Sequence, residues 1–142
     1  MWKSLKLGAH GAGENETTLI ATGATIEGNV HFSGTLELEG AVNGAIHGSQ
    51  EGHSVVRILP GGHVHGDVHA PIVVVNGVVS GNVYSSEHVE LAARAVIRGD
   101  VEYNLIEMTK GAQVEGRLHF RADDSVGRKD PVVPIETPNP GD

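Results

Sequence analysis

Nine histidines in 142 residues are the side chains of this sequence best suited to chemistry. Four of them, His31, His47, His69 and His119, each stand three positions after a glycine: Gly28, Gly44, Gly66 and Gly116. His63 and His65 lie just upstream of His69. Neutral imidazole is a good ligand for divalent transition ions. If the four lie on successive strands ~4.8 Å apart, neighbouring imidazoles could share an ion. The simpler reading is a solvated column on an exposed face, which needs no metal. Other chemistries are poorly supported. There is no cysteine, which removes thiolate ligands, thiol nucleophiles and disulfides. Gly11-Ala12-Gly13 lacks the lysine and the helix of a phosphate-cradling loop. Ser-His-Asp combinations are too numerous in such a chain to single out a triad. We assign no catalytic residue, no metal ligand and no cofactor from the sequence.

The elements that carry these residues are strands. Valine and isoleucine number 27 against nine leucines, a bias toward strand formers. Twenty glycines and five aromatics (Trp2, Phe32, Tyr84, Tyr103, Phe120) argue against a helical bundle and an aromatic-centred sandwich. A formal charge of −8 disfavours nucleic acid as a partner, because phosphate binding needs a basic face. No run of 18 apolar residues and no signal-peptide core occurs, so a cytoplasmic location is expected.

Three regions are expected. Residues 1–17 read as a flexible N-terminal tail with glycines at 8, 11 and 13. Residues 121–142 hold four of the six prolines and read as a disordered C-terminal tail. Between them, residues 18–120 are rich in small and β-branched residues and form the single domain.

That middle region is repetitive. An apolar-x-Gly-x-apolar segment occurs six times, from Ile26-Glu27-Gly28-Asn29-Val30 to Val114-Glu115-Gly116-Arg117-Leu118. Eight positions before each glycine stand Ile20, Leu36, Ile58, Val73, Leu91 and Met108, all large and apolar. Four positions before it stand Ala24, Gly40, Gly62, Gly77, Ala95 and Ala112, all small. Side chains alternate faces along a strand, so these even columns share the interior. The odd columns carry Glu27, His65, Asp67, Arg98, Asp100 and Glu115, and face solvent. The pattern predicts an all-β parallel β-helix of about six windings, each with three inward strand segments and tight small-residue corners. The third corner is expected to absorb the variation in length, including the longer loop from Ser49 to Ser54. Six windings at ~4.8 Å give a rod about 29 Å long.

With six such segments in register between two tails, the chain resembles the bactofilins, a family of polymer-forming bacterial cytoskeletal proteins. The resemblance implies a right-handed β-helix and filaments that assemble without nucleotide. It also implies attachment to the inner face of the cytoplasmic membrane and a scaffold role toward envelope, cell-wall or cell-shape proteins. Within that frame the opening segment has a physical rationale. Met1, Trp2, Lys3, Leu5, Lys6 and Leu7 combine an interfacial tryptophan, apolar side chains and two lysines without an acid. Such a peptide suits anionic lipid weakly, and a polymer makes weak contacts avid.

The partner expected first is a second copy of the chain. A parallel β-helix ends in windings with unpaired backbone groups and an open apolar interior, and neither flank offers an amphipathic cap. The expected polymer interface comprises Ile20, Ile26, Val30 and Phe32 at one end and Val114, Leu118 and Phe120 at the other. The alternative is a trimeric enzyme of the hexapeptide-repeat kind, an acyltransferase or carbonic-anhydrase-like protein with histidine-bound metal. Its six-residue rhythm is not sustained here.

Overall fold

The structure is a computed structural model and describes residues 16–122. The expected membrane segment and most of both expected tails lie outside the described residues.

Every described element is a strand or a turn, and all strand pairs are parallel. The strands stack into three faces of six rungs each, so the chain climbs through six windings. The first face begins with Thr17–Ile20, Thr35–Leu38 and Val55–Ile58, and ends with Leu105–Met108. The second is a separate six-stranded sheet that runs from Thr25–Glu27 to Gln113–Val114. The third runs from Val30–Phe32 to Leu118–Phe120. Two long strands, Val68–Val75 and Val83–Leu91, pass from the third face to the first, and their mutual register shifts between Ala70 and Ile72. A parallel solenoid is what strict alternation with a repeating glycine corner produces.

The even columns are the interior, as the alternation predicts. Leu36, Leu38, Val42, Ile46, Val56, Ile58, Val64, Val68, Val73, Val75 and their upper counterparts through Val101 are fully buried. Each such side chain contributes about 1.5–3 kcal/mol relative to exposure. The core is thickest in the middle windings and thins toward both ends, where Ile26, Val30, Val114 and Ile106 are only partly buried.

Three corners close each winding. Between the second and third faces the six repeat glycines stack directly. A Cβ on Gly44, Gly66, Gly81, Gly99 or Gly116 would run into the carbonyl oxygen of the glycine one winding below. The residue after the glycine adds a second ladder. Asn29 Oδ1 accepts the Ala45 N–H at 2.9 Å, and Asp67 Oδ1 accepts the Asn82 N–H at 3.0 Å. Asn82 Oδ1 and Asp100 Oδ1 continue it to the N–H groups of Asp100 and Arg117. These side chains satisfy backbone donors that the turn removes from the sheet.

The corner between the first and second faces corrects one expectation. Ile20 pairs with Leu38, Leu38 with Ile58, and Ile58 with Val75, with Leu91 and Met108 above. Leu36 and Val73 therefore do not belong to the column of Ile20, Ile58, Leu91 and Met108; they stack with Val56 and Val89. The cause is a corner of two lengths. Ala21–Ala24, Leu59–Gly62, Ala92–Ala95 and Thr109–Ala112 are turns closed by a hydrogen bond from the fourth residue to the first, at 3.0, 2.8, 3.0 and 3.0 Å. Glu39-Gly40 and Asn76-Gly77 make the same corner with two residues. Length variation is thus shared by this corner and the one between the third and first faces. The latter holds the longest insertion, residues 49–54, which reaches past its neighbour: His53 Nδ1 lies 3.0 Å from the Glu87 carboxylate, and Ser86 Oγ donates to Gln50 Oε1 at 3.2 Å.

Candidate functional site

The ends of the solenoid are built from the same columns as its core, and no further winding covers them among the described residues. Among the described residues, Thr17–Ile20 pairs only with Thr35–Leu38, and Leu118–Phe120 only with Val101–Tyr103. The outer backbone edge of each terminal winding has no strand partner among the described residues. An unpaired edge over an apolar interior is a template for another chain.

The two ends differ. At the C-terminal end Leu118 is 44% exposed, Phe120 67% and Met108 48%. Val114 is partly buried against the core, and the Tyr103 and Phe120 rings meet edge to face at 6.1 Å. At the N-terminal end Ile20 is buried, and Ile26, Val30 and Phe32 are partly buried against the core. Phe32 fits there because Gly48 stands above it: a Cβ on Gly48 would lie 2.9 Å from the ring. All seven residues expected at the ends occupy inward positions of the terminal windings. Sequence reasoning missed Met108 as an end residue, and it missed Leu19 and Leu105, which are 54% and 52% exposed. Leu19 and Leu105 point outward, so the alternation files them with the polar columns.

The histidine column forms as the constant offset from glycine predicts. His31, His47, His69 and Tyr84 stack in one outward file, with centroids 4.8, 4.8 and 4.6 Å apart and rings within 17° of parallel. Glu102 and His119 continue the file. Parallel rings aim their nitrogen lone pairs side by side rather than at a common point, so the file is a poor chelate as it stands. Partial burial holds His47 below the usual imidazole value, helped by the charges of His69 and His31 and opposed by Asp67. His63 is lowered in the same way, by burial first and then by His65 and Arg98.

These features define a class: a three-faced parallel β-solenoid of six windings around a continuous apolar interior. A family model described as bactofilin, polymer-forming cytoskeletal, matches residues 18–119, and the chain belongs to that family. It is by family a polymer-forming cytoskeletal protein. Searches of curated proteins and of solved structures find no significant match to the chain. No helix among the described residues is long and apolar enough to cross a membrane.

Proposed function

We propose that the chain is a filament subunit that joins end to end through its terminal windings, without nucleotide, and serves as a scaffold at a membrane. The observation that carries this reading is the C-terminal winding, which leaves Leu118, Phe120 and Met108 exposed above a continuous core. Stacking a second terminal winding there covers the apolar side chains and supplies partners for the backbone edge in one step. Val114, Leu118 and Phe120 form one contact surface, and Ile20, Ile26, Val30 and Phe32 form the other. Membrane attachment is assigned to Met1, Trp2, Lys3, Leu5, Lys6 and Leu7, and recruitment of envelope or cell-wall proteins to the tails. The location that follows is the cytoplasmic face of the inner membrane. Nothing in this role calls for catalysis or a cofactor.

The test is electron microscopy and sedimentation of purified protein in buffer free of nucleotide and metal. Wild-type protein is expected to form filaments, and Phe120→Arg to keep its β-sheet circular dichroism yet sediment as monomers or dimers. An arginine in a desolvated junction costs several kcal/mol. Wild-type-length filaments from Phe120→Arg, or assembly that requires ATP or GTP, would overturn the reading.

A further inference from the structure

A second cluster lies on the outward side of the first face, away from the histidine file. Its residues come from two adjacent rungs: His88 and Glu90 from Val83–Leu91, and Glu107 from Leu105–Met108. Glu90 and Glu107 are direct register partners, so two carboxylates stack one above the other. Like charges directly opposite in a sheet are destabilising unless something intervenes. No arginine of the same file is at hand to do so. Below Glu90 stands Val74, and below that Arg57, which is already 3.8 Å from Glu37.

An independent observation points to the same place. His88 Nε2 is shielded from solvent and has no hydrogen-bond partner, an uncommon state for a buried ring nitrogen. It faces Glu107 Oε1 at 3.7 Å, beyond hydrogen-bond reach. One ligand atom from each of His88, Glu90 and Glu107 can be chosen so that all three lie within 4.8 Å of one another. Around a tetrahedral ion with bonds of about 2.0–2.2 Å, donors sit about 3.4 Å apart. The imidazole and the Glu107 carboxylate are almost there. Glu90 is exposed and offers the third donor within 4.8 Å of the other two.

We propose that His88, Glu90 and Glu107 bind one divalent cation of the zinc class. One imidazole and two carboxylates suit a first-row divalent ion, and the two negative charges balance it. Water completes the coordination. The ion cross-links the fifth winding to the sixth and so fastens the winding that carries the exposed C-terminal end. This role is structural and independent of whether the terminal windings are the polymer contact.

The experiment is equilibrium dialysis of the full chain against Zn²⁺, with metal counted by elemental analysis and ligands read by X-ray absorption. Wild type is expected to hold one tight equivalent with a nitrogen and oxygen shell that includes an imidazole. His88→Gln and Glu107→Gln should each weaken it at least tenfold, while His47→Gln, in the stacked file, leaves it unchanged. Glu107 is exposed, so Glu107→Gln keeps the test valid should His88→Gln fail to fold, with circular dichroism as the check. Absence of a tight equivalent, unchanged affinity in Glu107→Gln, or loss of the ion in His47→Gln would each overturn the proposal.

Discussion

Gly28 and Gly66 occupy equivalent corners for different physical reasons. Gly28 holds φ at +119°, where side chains are strained, but a Cβ there would meet nothing within 4 Å. Gly66 carries the added constraint that its Cβ would enter the Gly44 carbonyl, a backbone atom that cannot step aside. Gly28→Ala should therefore cost about 1–3 kcal/mol of backbone strain. Gly66→Ala adds overpacking and should cost about 3–5 kcal/mol. Denaturant midpoints of both variants, measured at one protein concentration on a Phe120→Arg background that removes filament formation, check the order. An equal loss would mean that conformation alone selects these glycines. The six glycines were legible in the sequence because each sits between two apolar residues. Which neighbour each one touches was not, because that depends on the winding below.

At the scale of the element, two outward histidines, His47 in the stacked file and His63 on the second face, give a pH dependence whose sign follows from their environment. His47 and His63 are held below the ordinary imidazole value of 6.5 mainly by burial. Below that value the unfolded chain binds protons that the folded chain refuses, so stability is complete above pH 6.5 and falls as the pH drops through the window beneath it. Both rings are partly solvated, so the effect is small. A thermal midpoint lower by a few degrees between pH 7 and 5.5 is expected, with a shallower slope in His47→Gln. A slope that is unchanged in that variant would assign the acid sensitivity elsewhere. The file was readable in advance because its offset from glycine is a constant three residues across an unvarying corner. The file of Ile20, Leu38 and Ile58 was not. Corners of two and four residues differ by an even number, so inward positions stay inward and an apolar residue is found whichever register is assumed. The pairing of Glu90 with Glu107 was hidden for a related reason. Their separation of 17 residues becomes a stacked pair only once every intervening corner has its length.

At the scale of the molecule, membrane attachment is separable from assembly if the opening segment acts alone. Deleting residues 1–7 should leave filaments intact while releasing them from anionic liposomes in co-sedimentation. Unchanged co-sedimentation would place the lipid contact outside residues 1–7. The interior and the architecture were legible from six repeats because each repeat buries its neighbour. The exposure of Leu118 and Phe120 was foreseen with the open end, whereas that of Met108, Leu19 and Leu105 was not, because Met108 shares a column with core residues and the two leucines sit in outward columns.

The ring of Phe32 nested against Gly48 means that one end of the rod arrives already plugged, whereas the other presents loose apolar side chains. If the terminal windings are the contacts proposed above, such a rod has two grades of coupling. If like ends meet, strong and weak links must alternate along the chain, and dilution should cut every second link to leave dimers as the surviving piece. If unlike ends meet, all links are the same and dilution runs straight to monomers. Mass photometry of filaments diluted stepwise distinguishes the two, and a ladder of every odd and even species would rule out alternation.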